Sequence, residues 1–257
     1  MTASDMIASD TSLSPNTKPP AFVVRAMRAL WRLLTDPPYR HVQRLRITRS
    51  QKLYQPANTT FANRYPRIFR FVQTELGADS DARLLSYGCS TGEEAFSLRQ
   101  YFPRATIKGI DINPGNIAIC RRRLKEKRDG AISFETASST TAEPSGSYDA
   151  IFCMAVLRHG DLKLPGVTRC DHLIRFEDFA ASVEDLTRCL KPGGLLVIIH
   201  SNFRLCDAPA GAEFETILRV RLRLPSDQMR FFGSDNRLIE GMQYPDVVFR
   251  KKSNRAA

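Results

Sequence analysis

The stretch LLSYGCSTGEEAFSL, residues 84–98, starts as an apolar run, breaks at a glycine turn and resumes with helical character. That order commits the chain to a strand, turn and helix unit, the building block of an α/β fold. Gly88 and Gly92 let a ligand approach the backbone N–H groups at the helix N-terminus. The glycines are spaced GxxxG rather than GxGxxG, and the helix begins with Glu93 and Glu94. Two carboxylates repel a pyrophosphate and suit a ligand carrying an amino group or ribose hydroxyls. The loop also lacks the Lys-Ser/Thr pair of a nucleoside-triphosphate site.

Past residue 77, strands and helices alternate. Strands are read at RLLSYG, TIKGIDI, AISFETA, YDAIFCMA and GLLVIIHS, with helices at TGEEAFSLRQYF, PGNIAICRRRLKEK and FEDFAASVEDLTRCLK between them. This is the pattern of a parallel sheet covered on both faces. The tail predicts a helix around AEFETILRV and two closely spaced strands, RLIEGM and DVVFRKK. Such a tight reversal makes the last strand antiparallel. The expected fold is therefore a Rossmann-like seven-stranded, mostly parallel sheet with an antiparallel last strand.

The N-terminal part differs in composition. Residues 1–20 are polar without periodicity and are expected to be disordered. In AFVVRAMRALWRLL, Phe22, Ala26, Leu30, Leu33 and Leu34 share one helical face, opposite Arg25, Arg28 and Arg32. A second basic helix is expected over residues 40–53 and a third over YPRIFRFVQTELG. Residues 21–77 thus read as a basic helical cap on a main domain spanning 78–257. A membrane-surface role for the first helix stays open. TDPPY at 35–39 matches a signature of adenine-N6 methyltransferases, but it follows an amphipathic helix rather than a buried strand and reads as a helix stop.

The formal charge of +11 favours anionic partners, a nucleic acid or an acidic protein among them. The six cysteines show no CxxC pairing and read as reduced thiols of a cytoplasmic protein. No apolar run approaches the roughly 20 residues of a membrane span. Cys170, Asp171 and His172 match no tight zinc spacing, so no metal is expected.

Asp111 ends the second strand about twenty residues beyond the loop, where an acid accepts hydrogen bonds from ribose hydroxyls. Loop and acid together indicate an adenosine-containing cofactor without a polyphosphate, and S-adenosylmethionine fits. Capping of the following helix is the competing use of Asp111.

GCSTGEEAFSL resembles the first motif of the class I S-adenosylmethionine-dependent methyltransferases, in the variant of the chemotaxis receptor methyltransferase family. YDAIFCMAVLRHGD and LTRCLKPGGLLVIIHSNF resemble that family's fourth-strand and fifth-strand segments, and Thr60-Phe61-Ala62-Asn63-Arg64 its TxFFR motif. The resemblance covers roughly residues 58 to 202 and the final FRKK strand. It implies cofactor contacts at Thr60 and Arg64, at Tyr87, Gly88, Cys89, Ser90, Gly92 and Glu93, and at Asp111 and Ile112. It adds Ala137 and Ser138 after the third strand and Met154 and Ala155 after the fourth. Met154-Ala155 stand where the family carries Arg-Asn, and His159 takes its tyrosine position. The antiparallel accessory insertion by which that family grips its receptor finds no room in the C-terminal region.

These departures turn the expectation away from a receptor glutamate. The expected reaction is methyl transfer to oxygen or nitrogen of a small anionic or aromatic metabolite, leaving S-adenosylhomocysteine. Protein-carboxylate or RNA methylation, and a non-catalytic binding protein, stay open. Such a transfer needs positioning above all, and a neutral histidine suits removal of the acceptor's proton. His159 is the first choice as base, Arg158 as a holder of an anionic substrate, and His200 the second choice.

Overall fold

The computed structural model describes residues 21–47, 54–55, 60–220 and 229–253. The expectations for residues 1–20, and for the end of the second basic helix at 48–53, lie outside the described residues.

Seven strands form one sheet: β1 (Arg83–Tyr87), β2 (Thr106–Asp111), β3 (Ile132–Thr136), β4 (Tyr148–Met154), β5 (Leu190–Ile199), β6 (Phe214–Arg219) and β9 (Asp246–Lys251). Their order is β3-β2-β1-β4-β5-β9-β6. β1 to β5 run parallel, and β9 is antiparallel to both β5 and β6. The near-continuous apolar runs of β1 and β4 follow from burial on both faces, since helices cover a parallel sheet from either side.

One face packs against α6 (Phe176–Cys189), which buries Phe176, Phe179, Val183 and Leu186 at helical spacing. The other face is covered by α3 (Pro66–Leu76), α4 (Glu93–Tyr101) and α5 (Pro114–Lys127), with Ile68, Phe69, Leu98 and Ile117 in the core between them. The chain winds outward in opposite directions from β1 and β4. That reversal opens a crevice beyond the carboxyl ends of the strands, where open α/β sheets bind ligands.

The tail departs from expectation. AEFETILRV is not a helix: a 3-10 turn, Pro209–Glu213, leads into β6. Pairing with β9, from Phe214 opposite Lys251 to Arg219 opposite Asp246, overrides the helix-forming Glu and Leu residues. RLIEGM contributes only β8 (Leu238–Ile239), which pairs with β7 (Phe231–Phe232) in a separate antiparallel ribbon. A small antiparallel insertion therefore does lie between β6 and β9, where the sequence reading left no room for one.

At the N-terminus, α1 (Ala21–Thr35) and α2 (Pro37–Ile47) meet at Asp36, whose Oδ1 accepts the Tyr39 N–H at 2.9 Å. Pro37 and Pro38 sit in the first turn of α2, where a missing N–H costs nothing. α2 packs on α5: Asn113 Nδ2 donates to the Pro38 carbonyl at 3.0 Å, and Gly115 is so close to Pro38 that a Cβ there would lie 2.9 Å from its nitrogen. α2 buries Val42, whereas α1 buries no residue. Of the three helices in the cap expected over residues 21–77, α2 and α3 pack on the rest of the chain and α1 does not. No helix among the described residues is long and apolar enough to cross a membrane.

Candidate active site

The loop after β1 is fixed before any ligand arrives. Gly88 N–H and Cys89 N–H both donate to the Ile110 carbonyl, at 2.8 and 2.9 Å, lacing the turn to β2. Gly88 has φ +72°, and a Cβ there would fall 2.5 Å from Val156 Cγ2. Gly92 opens α4 at φ +92°, a region glycine enters without strain. Ser90, Ala155 and His200 also hold positive φ, at 51°, 61° and 55°, just past β1, β4 and β5. Left-handed backbone at non-glycine residues costs free energy and gathers at functional sites.

Asp111 organises this edge. Its Oδ2 accepts the Ser90 N–H at 2.8 Å, and its Oδ1 accepts the Asn113 N–H at 2.8 Å and Asn116 Nδ2 at 3.1 Å. A carboxylate offers about four lone-pair sites, so three donors leave one toward the cavity that Asp111 lines. Burial pushes its pKa up, against the pull of those hydrogen bonds. Capping of α5 falls to Asn113, whose side chain accepts the Gly115 N–H at 2.9 Å.

The paired glutamates part company. Glu93 turns to the outside, held by Arg123 Nη1 at 2.6 Å and by the Thr91 hydroxyl at 2.6 Å, and does not line the cavity. Glu94 turns inward and accepts Ser86 Oγ at 2.7 Å. Surrounded by protein, its carboxyl is pushed up to about 8, against the lowering effects of Ser86 and Arg64. The inward acid is thus one position later than expected, because Arg123 of α5 claims the first. A trace of this was present in the sequence: Ser86, a polar residue inside an apolar strand, needs a buried partner.

One cavity gathers twelve of the fourteen residues expected at the cofactor: Thr60, Arg64, Tyr87, Gly88, Cys89, Ser90, Asp111, Ile112, Ala137, Ser138, Met154 and Ala155. Gly92 and Glu93 lie outside its lining. The sequence reading missed Glu94, Tyr65 and the roof formed by Val42, Tyr54 and Gln55. The space under this roof is about 110 Å³, below the roughly 300–1,000 Å³ of ordinary small-molecule sites.

A second, larger cavity of about 850 Å³ opens beside the first, at the ends of β5 and β6 and the start of β9. Its walls are mainly apolar, with Ile199, Phe203, Phe231, Met242 and Tyr244 among them, and His200 lies in its lining. His200 faces Tyr65, a wall residue of the first cavity, at a ring-centroid distance of 5.8 Å. Three buried polar atoms here have no partner: Tyr65 Oη, His200 Nδ1 and Arg158 Nε. Burial first, then the charges of Arg158 and Arg64, pulls His200 down to about 4. Burial pushes Tyr65 up to about 12, so its hydroxyl keeps its proton.

His159 lines neither cavity. Its Nδ1 accepts the Asp161 N–H at 3.3 Å, capping a 3-10 turn over Gly160–Lys163, and its own N–H is held by Asn202 Oδ1 at 2.8 Å. Arg158 lines neither cavity either, although its Nε is buried without a partner, so of the three residues expected to act on substrate only His200 reaches a cavity wall.

Residues 78–225 match the model of a family described as a methyltransferase domain. Trans-aconitate 2-methyltransferase of Methylobacterium nodulans is 32% identical over 117 residues, covering 46% of this chain and 37% of that protein. Demethylmenaquinone methyltransferase of Deinococcus radiodurans is 26% identical, covering 59% and 54%. The chain thus spans about half the length, or less, of these two relatives. Ubiquinone biosynthesis O-methyltransferase of Leptothrix cholodnii is 23% identical, covering 72% and 77%.

Proposed function

Because this chain belongs to the methyltransferase-domain family, we propose that it transfers a methyl group from S-adenosylmethionine to an oxygen or nitrogen of a small metabolite. The observation that carries the reading is the inward pair of carboxyl groups, Glu94 and Asp111, on one cavity above the glycine loop.

The chemistry of these groups fits the cofactor. Asp111 keeps an acceptor site for a ribose hydroxyl, and Glu94 is a carboxyl whose pKa burial raises against the pull of Ser86 and Arg64, so its charged form gains from a further cation. A ligand bearing an ammonium and a sulfonium supplies one. Gly88 and Gly92 keep the loop slim, and Ala137 and Ser138 offer a wall for the adenine. When bound, S-adenosylmethionine supplies an electrophilic methyl carbon on an already activated leaving group.

The chain's own residues then handle the acceptor. The larger cavity beside the cofactor pocket takes the acceptor's body, and the Tyr65–His200 pair stands where the two meet. Neutral His200 accepts a hydrogen bond through Nδ1 from the acceptor's O–H or N–H and orients it. Tyr65 Oη, in the wall of the first cavity, donates to an oxygen of the same molecule, and the Arg158 charge lies close behind the Tyr65–His200 pair. This gives His200, the second choice, the role first sought at His159. The family model and the relatives named above do not reproduce the resemblance to chemotaxis receptor methyltransferases, and those relatives carry the names of small-molecule methyltransferases.

Calorimetry with S-adenosylmethionine and S-adenosylhomocysteine tests the reading. Binding of both to folded protein is expected, with loss of both in Asp111→Ala. A folded chain that binds neither overturns it.

A further inference from the structure

α1 carries an apolar face that no described part of the chain covers. Phe22, Met27, Leu30, Trp31 and Leu34 are 72%, 64%, 61%, 65% and 71% exposed, far beyond what scattered surface hydrophobics require. At 100° per residue the apolar side chains from Phe22 to Trp31 and Val24 occupy more than half the circumference. Arg25, Arg28, Arg32 and Thr35 share the narrow remainder.

The basic character continues past the turn. Residues 21–47 hold six arginines against one acid, Asp36, which pairs with Arg32 at 3.0 Å. The same Arg32 lies 4.1 Å from the centre of the Tyr39 ring, bracing α1 against α2.

We propose that α1 is an interfacial helix that docks this protein on an anionic lipid bilayer. With 15 residues it is about 22 Å long, too short to span a bilayer, so it lies in the headgroup plane. Its wide apolar arc sinks toward the acyl chains while the arginines reach up to lipid phosphates along their own stems. Only this occupant satisfies both halves at once. A nucleic acid would neutralise the arginines and leave Phe22, Trp31 and Leu34 in water. A second copy would cover the apolar face but leave the α1 arginines, on the opposite side, without an anionic partner.

Trp31 is the only tryptophan of the chain, so its emission reports directly on this face. The full protein is titrated with vesicles of phosphatidylcholine alone and of phosphatidylcholine with an equal part of phosphatidylglycerol. The expected result is a blue shift of Trp31 and binding at least about tenfold tighter to the anionic vesicles, weakened by added salt. Leu30→Asp with Leu34→Asp abolishes the shift, while circular dichroism and S-adenosylmethionine binding stay unchanged because α1 contributes nothing to the core. Arg25→Gln with Arg28→Gln removes most of the preference for anionic lipid. Unchanged Trp31 emission with both vesicles overturns the proposal. So does a lipid-free protein of doubled mass by light scattering whose Trp31 is already blue-shifted. Retention on RNA that survives the double Asp substitution, without any vesicle binding, overturns it as well.

Discussion

Tyr65 at the start of α3 and His200 at the end of β5 face each other at 5.8 Å between ring centroids, each with a buried polar atom lacking a partner. Residues 135 positions apart in sequence thus meet at the seam of two cavities. In the proposed reaction His200 accepts a hydrogen bond from the acceptor and orients it, so His200→Asn should lower kcat by about tenfold, the scale of one lost hydrogen bond. Asparagine tolerates the left-handed backbone at this position. S-adenosylmethionine affinity, measured by calorimetry, should stay within about threefold of wild type. His159→Asn, which removes only a cap, should leave kcat nearly intact.

Glu94 predicts a pH dependence of cofactor binding. Its carboxyl is held up to about 8, so near neutral pH it is mostly protonated in the free protein. A cationic ligand favours the charged form, and affinity should rise as pH climbs from 6 to 8, with proton release on binding. Calorimetry in buffers of different ionisation enthalpy reads the released proton directly. Glu94→Gln should flatten the profile and weaken binding about tenfold or more.

The same group sets a slope in stability. A carboxyl whose folded pKa is raised binds more protons folded than unfolded, so its contribution is lost as pH rises from about 4.5 to about 8. Melting temperatures of the ligand-free protein should fall over that window, and less steeply in Glu94→Gln.

His200 acts at the other end of the scale. Its folded pKa of about 4 lies below the ordinary 6.5, so the unfolded chain takes up the proton first. Its contribution is present above about 6.5 and is lost as pH falls toward 4. Acid melts of His200→Asn should lose less stability over that interval than wild type.

Gly88→Ala tests the loop. The added Cβ meets Val156 Cγ2 at 2.5 Å on a backbone with φ +72°. Together these should cost about 2–4 kcal/mol of stability in urea, with cofactor binding lost before the fold is.

The sheet was legible because its strands are apolar runs punctuated by glycine and its helices carry caps and proline at their ends. Gly88 to Asp111 was legible for the same reason, since one continuous piece of chain builds that side of the pocket. Direction within the helix was not. Nothing local tells Glu93 from Glu94, because the choice is made by Arg123, thirty residues away. β6 was hidden because Glu and Leu read as helix formers until β9 supplies a partner. The acceptor side was less legible for a similar reason: His159 lies in the expected motif but its Nδ1 caps a turn at Asp161, while His200, the second choice, gains its setting from Tyr65 on a distant helix.

The hydrogen bond from Asn113 to the Pro38 carbonyl joins the roof helix to the helix behind Asp111. The roof carries Val42 into the cofactor cavity at one end and continues into α1 at the other. In the proposed docking, a surface that holds α1 therefore acts on a chain segment that also lines the cofactor cavity, and any coupling between the two binding events is reciprocal.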